Sequence, residues 1–196
     1  MYAIIENGAV VAYPINPQDY FPTTSFPVVI TPACLPDGCV LVNATQPPSA
    51  GTNQKVQEVS PTLVDGAWTQ TYQTVDLANT EIAALANALC SQVDFDRDAK
   101  IANGFMFDGY LYQSAQSDRE NVMGAAMAAA ADPTFTTNWI TANNSIIAMN
   151  ATVVQSLFQT GVTFKGELTF YARNLKDQIM ASDDPQSVYN GASWPF

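Results

Sequence analysis

Hydrophobic and polar residues alternate over short runs in the first 75 positions, which predicts β-strands separated by turns. Asn7-Gly8 and Asp65-Gly66 are strong hairpin signals, because Asn, Asp and Gly tolerate the left-handed backbone of a tight turn. Proline recurs from Pro14 to Pro36 and cannot donate to a β-ladder, so edge strand or coil is expected there. The predicted strands cover residues 2–5, 10–13, 26–31, 39–42, 55–59 and 68–72.

From about residue 76 the hydrophobic period becomes helical. Apolar residues from Ile82 to Val93 recur every three or four positions after a helix start at Asn79-Thr80-Glu81. A second, Ala-rich helix is predicted over residues 118–131, opened by a capping-box pattern from Ser117 to Glu120 and bounded by Pro133. One of its faces carries little side-chain bulk and predicts the close approach of another element. That face consists of Gly124, Ala125, Ala128 and Ala131.

The last predicted helical region covers residues 151–182, and the glycines at 161–166 predict a break within it. A seam of residues spaced alternately by four and three runs along this region. Two interpretations stay open: the inner face of a helix bundle, or a self-association seam along a symmetry axis. The seam residues are Leu157, Gly161, Phe164, Leu168, Tyr171 and Leu175.

These patterns predict an α+β protein, with a small antiparallel β-rich N-terminal module followed by a helical C-terminal bundle. The expected boundaries are 1–75 for the β-rich module, 76–182 for the helical domain and 183–196 for a C-terminal tail. The tail ends in Trp194-Pro195-Phe196, which is expected either to stay mobile or to dock on a neighbour. The β-rich module is expected to lack a closed, strongly patterned core.

The composition changes this picture through charge. Charged residues make up only 13% of the chain and its formal net charge is −11, with no Lys or Arg in the first 54 residues. Nucleic-acid binding and attachment to anionic membranes both need clustered cations, so neither is expected. The low charge indicates a surface partly covered by partners or, alternatively, one that is simply neutral and polar. No signal peptide or membrane span is recognisable, which predicts synthesis in the cytoplasm.

Residues that carry chemistry are scarce. The chain has no histidine, which excludes histidine-based nucleophilic arrangements and makes a zinc site improbable. Cys34 and Cys39 flank a turn and are interpreted either as a disulfide or as two small buried residues, and Cys90 as a filler of a helical core. Alternating Asp94, Asp96 and Asp98 suggest either calcium or a solvated helix end. The sequence therefore predicts no catalytic, cofactor-binding or metal-ligating residue, no cofactor, and a protein that is not an enzyme.

Two further features lie between the predicted helices. The aromatics of residues 105–112 could stack sugars, but in a glycine-bounded alternating run they are expected to pack against neighbouring helices. Arg119 stands at a helix start, where the macrodipole disfavours a cation. Its neighbours Asp118 and Glu120 suggest a paired arginine that fixes the preceding turn.

The block from Arg97 to Trp139 resembles the C-terminal helical domain of unknown function carried by many tailed-phage tail and tail-fibre proteins. The resemblance covers about residues 95–182, and the opening residues 2–8 and later segments are similar to short virion proteins of marine and cyanobacterial phages. The matching segments are Gly104-Phe105-Met106-Phe107-Asp108-Gly109, Tyr112-Gln113-Ser114, Ser117-Asp118-Arg119, Gly124-Ala125, Trp139, Ala142-Asn143-Asn144 and Leu175-Lys176-Asp177-Gln178-Ile179.

The resemblance implies a structural component of a phage tail, at the baseplate or fibre, that acts through protein–protein contacts without catalysis. It implies other tail, baseplate or fibre proteins as partners, location in the virion tail, and a homo-oligomer, with a trimer favoured because tail fibres are commonly three-fold. A tail-fibre assembly chaperone absent from the mature virion and a receptor-binding module are the alternatives. Which module holds the tail and which the fibre stays open.

Overall fold

The structure, a computed structural model, describes all residues from Met1 to Phe196 and confirms the α+β class. The chain divides into two compact units, Met1–Ala78 and Asn79–Phe196. We call them the N-terminal and C-terminal units. The division lies three residues beyond the expected boundary at 75/76, at the point where the last strand of the β-rich part ends and the first long helix begins.

Two hairpins and a short third strand build the N-terminal unit. The first hairpin turns at Asn7 and Gly8, whose φ values of 51° and 80° confirm the predicted left-handed turn. A three-stranded antiparallel sheet has the order β2-β1-β3, and the second hairpin pairs β4 with β5 through a turn at Asp65-Gly66. The elements are β1 (Tyr2–Glu6), β2 (Ala9–Ile15), α1 (Pro17–Tyr20), β3 (Cys39–Leu41), β4 (Gln54–Val64) and β5 (Ala67–Asp76).

One predicted strand is wrong. Residues 26–31 form bends and coil, and only a short 3₁₀ turn, Pro32–Cys34, follows them. Pro27 and Pro32 bracket this segment, and proline offers no N–H to a partner strand. Val28 and Val29 therefore stay highly exposed despite their β-propensity.

The core of the N-terminal unit is sparse, as expected, and a polar network supplements it. Its buried hydrophobic residues are Ala3, Ile4, Cys39 and Val42. The Glu58 carboxylate on β4 accepts hydrogen bonds from the Tyr13 hydroxyl on β2 and from the Gln70 side chain on β5, the latter at 2.7 Å. Because these three residues lie on three strands, Glu58 ties the second hairpin to the first sheet.

Ionisation of Tyr13 should lower the stability of this unit at high pH. Burial and the hydrogen bond to the Glu58 carboxylate raise the pKa of Tyr13 to about 12. In the unfolded chain the phenol titrates near pH ~10, so its stabilising contribution is complete below that pH and is lost as the pH rises toward 12. We expect Tyr13→Phe to lower the free energy of unfolding by about 1 kcal/mol at neutral pH.

That difference between the wild type and Tyr13→Phe should disappear between about pH 10 and pH 12. Calorimetry of the unfolding transition of the N-terminal unit at a series of pH values measures it. Tyr20→Phe is a suitable control, because Tyr20 is exposed and its ring packs on the neighbouring Phe21 ring. A pH-independent difference would contradict the expected linkage.

Three long helices dominate the C-terminal unit, and α4 packs against both of the others. One core cluster lies between α3, α4 and the hairpins, and a second lies between α2, α4 and α5. No helix combines the length and the apolar content needed to cross a bilayer. The elements are α2 (Asn79–Asn103), β6 (Phe105–Phe107), β7 (Tyr110–Tyr112), α3 (Gln116–Ala131), β8 (Thr136–Ile140), β9 (Ile146–Asn150), α4 (Ala151–Ala181) and α5 (Pro185–Asn190).

The predicted break in the last helix is wrong. Helix α4 is continuous from Ala151 to Ala181 through both Gly161 and Gly166. A glycine inside a helix costs only about 1 kcal/mol, and here buried Phe164 and Leu168 hold this stretch of helix on the core. Gly161 also has a packing role, since a Cβ there would lie 3.0 Å from Cζ of Phe105.

Residues of the predicted seam form the inner face of the bundle, which confirms that interpretation. Leu157, Phe164, Leu168 and Leu175 are all buried inside the C-terminal unit. Tyr171 packs on Trp194, with ring centroids 4.9 Å apart. The seam is therefore occupied by contacts within one chain.

The two glycines of α4 give a stability prediction. Gly166 has open space around its would-be Cβ, so Gly166→Ala should gain helix propensity without a clash. We expect a rise of about 0.5–1 kcal/mol in the free energy of unfolding, measured by urea denaturation followed by circular dichroism. Gly161→Ala is the contrasting variant, because its methyl group must displace the Phe105 ring. A gain at Gly161 equal to that at Gly166 would show that the Phe105 contact imposes no constraint.

Helix α3 starts earlier than predicted and by a different cap. It begins at Gln116, and the Asp118 carboxylate accepts a hydrogen bond from the Ala115 amide at 3.0 Å. The predicted Ser117–Glu120 capping box is therefore wrong, because Ser117 already lies inside the helix. Arg119 does fix the preceding turn, but by donating to the Ser114 carbonyl oxygen rather than by pairing with Asp118 or Glu120.

Residues 183–196 fold onto the C-terminal unit instead of forming a separate tail. They contain α5, which contacts both α2 and α4. The Phe196 ring lies 5.2 Å from the Phe164 ring, and Lys100 lies over the Trp194 ring. Trp194 is thus docked on the C-terminal unit of its own chain, whereas Phe196 contacts Phe164 but stays 73% exposed.

Candidate functional site: an apolar groove and a hairpin surface

The alternating acidic residues of α2 are held in ion pairs and hydrogen bonds. Asp94 accepts from Arg97 and from Lys176, each at 2.7 Å, and the Lys176 hydrogen bond is the main cause that lowers the pKa of Asp94. Asp98 pairs with Arg97, and Asp96 accepts a hydrogen bond from Tyr189 at 2.8 Å. No group of three or more His, Cys, Asp or Glu side chains is arranged to hold a metal ion. These carboxylates tie α2 to α4 and α5.

The three cysteines are free thiols. Cys34 is exposed and lies near the Thr31 hydroxyl, whereas Cys39 is buried on β3, so the pair matches neither a disulfide nor two buried neighbours. Cys90 is half-buried against α4 as a core filler. Burial raises the pKa of both Cys39 and Cys90, which keeps these thiols protonated.

The aromatic run of residues 105–112 mostly belongs to the core. Phe105 and Tyr112 are buried, and Phe107 packs against the same cluster. Phe105 also contacts Phe164 of α4, with ring centroids 5.5 Å apart. This confirms the packing interpretation for three of the rings and leaves Tyr110 as the more exposed one, at 37%.

Outward-facing residues of the same hairpin and of the next are also apolar. Met106 and Leu111 are cross-strand partners on β6 and β7, and Ile140 and Ile146 are cross-strand partners on β8 and β9. All four are exposed, with Ile146 at 69%. The two hairpins are joined, because the Ala142 amide donates to the Leu111 carbonyl oxygen at 2.9 Å. We call these four residues the hairpin surface.

Alternation along these strands would normally place polar residues on the outward side. Inward-facing Trp139 and Ile147 pack on the core, as a one-sided hairpin requires. Ile140 and Ile146 lie on the opposite face, where their side chains are exposed to solvent and contribute no burial free energy. Single exposed apolar residues are ordinary, whereas two adjoining exposed apolar pairs form an apolar patch.

A groove lies between α3 and α4, and the β6–β7 hairpin contributes to it. Its cavity measures about 270 Å³. Gln113, Arg119 and Lys165 provide its polar groups. The apolar lining consists of Phe105, Val122, Met123, Phe158, Gly161 and Val162. We call it the α3–α4 groove.

Arg119 and Lys165 also line a second cleft of about 530 Å³, which reaches α2. The lining of this cleft is more polar and includes Asp98, Gln116 and Thr169. The two cavities therefore adjoin at these two cations. An apolar recess lies on one side of them and a more polar cleft on the other.

After Glu120, helix α3 contains no charged residue. The face predicted for close approach is solvent-exposed at Gly124, Ala128 and Ala131, and α3 instead packs through Val122, Ala126 and Ala129. Met123 and Met127 are exposed beside them. The predicted close approach of another element on this face is therefore wrong within the C-terminal unit, because Gly124, Ala128 and Ala131 are exposed.

Neither the α3–α4 groove nor the hairpin surface could be read from local sequence. The groove needs Arg119 of α3 and Lys165 of α4, which are distant in the chain. The hairpin surface includes β8 and β9, which the sequence did not predict. A signal for that hairpin existed in the alternating 136–140 and 146–150 runs around Asn144, which adopts a φ of 61°.

The fold and these surfaces define an α+β protein with a β-rich unit and a helical unit that exposes apolar residues. Comparison with known families gives a match over residues 84–191 to a family described as a domain of unknown function, DUF4376. The chain belongs to this family, and the matched segment falls within the C-terminal unit. No curated protein and no solved structure matches the chain.

Proposed function

We propose that the protein is a structural component of a phage tail, at the baseplate or fibre, which acts through protein–protein contacts. The hairpin surface carries this proposal, because cross-strand pairs of exposed Met, Leu and Ile are costly in solvent and are stabilised when a partner covers them. The low charged fraction of 13% agrees with partner coverage. The phage setting rests on the resemblance of residues 95–182 to tail and tail-fibre proteins.

Mass spectrometry of purified virions from the phage that encodes the chain tests this function. A tail component should be present at a fixed stoichiometry with other tail proteins. Presence in infected-cell lysate but absence from the virion would overturn the proposal and favour the assembly chaperone. Absence from both would exclude both roles.

A charge on the hairpin surface tests the contact itself. Ile146→Lys should leave the unfolding transition nearly unchanged, because Ile146 is 69% exposed, yet it should remove the protein from assembled tails. Thr136→Lys is the matched control, since it adds the same charge to an exposed position at the far end of the same hairpin. Equal incorporation of both variants would show that the hairpin surface is not a contact.

A further inference from the structure

The placement of cations in this chain singles out the α3–α4 groove. Most Lys and Arg side chains have a partner: Arg97, Arg173 and Lys176 pair with aspartates, and Lys100 lies over the Trp194 ring. Arg119 donates to a backbone carbonyl, and neither it nor Lys165 forms an ion pair. Two cations without a carboxylate therefore converge on one apolar recess, in a chain whose net charge is −11.

We propose that the α3–α4 groove binds a segment of a partner polypeptide in which a large apolar side chain stands next to an Asp or Glu. The apolar side chain would fill the recess lined by Phe105, Val122 and Val162, and the carboxylate would pair with Arg119 and Lys165. This proposal rests on the contact-making function proposed above and names the chemistry of one partner. Its test, however, does not use the virion.

The size of the recess fits a side chain. Small-molecule sites commonly measure about 300–1,000 Å³, so a cavity of about 270 Å³ lies at the lower limit and suits one aromatic or branched side chain. Burial of such an anchor in a preformed apolar recess is the usual source of binding energy in an interface. Phe105, which lines the recess, is held in place by its contacts with Phe164 and Gly161.

The two cations of the groove favour an acidic residue next to the apolar side chain of the segment. A carboxylate approaching most of the surface meets the repulsion of a net negative chain, but at this groove it meets two cations. Arg119 is already oriented by the Ser114 carbonyl oxygen, so little side-chain freedom is lost when it binds. A basic or neutral segment would leave both cations without a charge partner.

The neighbouring cleft favours an extended polypeptide over a small carboxylic acid. It continues from Arg119 and Lys165 toward Gln116 and Thr169, whose side chains can hydrogen-bond a peptide backbone. A segment that passes from the apolar recess across the cations into the more polar cleft uses all three environments. A small acid would fill only the first two.

Selection from a randomised library of seven-residue peptides displayed on messenger RNA, against the immobilised full-length protein, tests this chemistry. We expect enrichment of Asp or Glu beside Phe, Trp, Leu or Ile. For a selected peptide, Lys165→Gln should raise the dissociation constant about five- to tenfold, and replacing the peptide carboxylate by its amide should raise it similarly. Val162→Asp should abolish binding. Arg173→Gln is the matched control, with the same charge change on an exposed part of α4 outside the groove, and should bind as the wild type does.

Three outcomes would overturn the proposal. The first is the absence of any enriched acidic and apolar pattern, and the second is a selected peptide whose affinity is the same for wild type, Lys165→Gln and Val162→Asp. The third is found by light scattering, if the wild type forms an oligomer that Val162→Asp dissociates, because a second copy then occupies the groove. All variants are compared at equal folded fraction, judged by circular dichroism. Detection of the protein in virions stays informative about the proposed function whichever result is obtained.

Discussion

Replacing Gly104 by alanine is expected to lower the free energy of unfolding of the C-terminal unit by about 2–5 kcal/mol. Gly104 links the end of α2 to β6 and has a φ of 92°, in the region that favours glycine. A left-handed backbone costs an L-residue about 1–2 kcal/mol. The added Cβ would also clash with the Tyr112 carbonyl oxygen, and relieving such overpacking costs about 1–3 kcal/mol.

This clash cannot be relieved by a rotamer change, because the obstructing atom belongs to the backbone. Tyr112 is paired with Phe105 on the neighbouring strand and is 1% exposed. The β6–β7 hairpin would therefore have to move, and Phe105 would lose its place under the α3–α4 groove.

Gly109→Ala separates the two contributions to the Gly104 effect. Gly109 has a similar φ of 78°, but a Cβ there meets nothing within 4 Å. It should cost only the backbone contribution of about 1–2 kcal/mol. Urea denaturation followed by the helical signal at 222 nm, which comes mainly from the C-terminal unit, measures both variants. Equal losses would show that the Tyr112 contact does not matter.

Leu168→Ala should be similarly damaging for a different reason. Leu168 lies on the inner face of α4, is 0% exposed and belongs to the cluster shared with α3 and the hairpins. Truncating a buried leucine removes transfer free energy and leaves a cavity, at a combined cost of about 2–5 kcal/mol. Domains of this size are stable by only about 5–15 kcal/mol, so the variant should lose a large fraction of its stability.

Phe170→Ala is the control on the same helix. Phe170 lies two residues further along and is 74% exposed, so its truncation should change stability by no more than about 0.5 kcal/mol. Thermal and urea unfolding of both variants measure the contrast. Similar losses at the two positions would contradict the assignment of the inner face of α4.

Elements with strong local signals were predictable from the sequence. The Asn7-Gly8 and Asp65-Gly66 turns specify their hairpins through backbone conformation alone, and both are present. The seam on the last helix was predictable because its spacing reports which residues face the core. In these cases the local preference and the tertiary structure agree.

Local preference failed where packing outweighs it. Gly161 and Gly166 predict a break, yet buried neighbours on either side keep α4 continuous. The segment around Val28 and Val29 has strand propensity, but its prolines leave it without a partner. The candidate site depends on the convergence of Arg119 and Lys165 from separate helices, which no local pattern records.

The continuity of α4 has a structural consequence. Its 31 residues span roughly 46 Å at about 1.5 Å per residue, and its buried residues belong to both core clusters. Each cluster is built on α4 from one side, with α3 and the hairpins completing the first and α2 completing the second. One unbroken helix therefore connects the two clusters, so the packing of the hairpins and the packing of α5 depend on the same element.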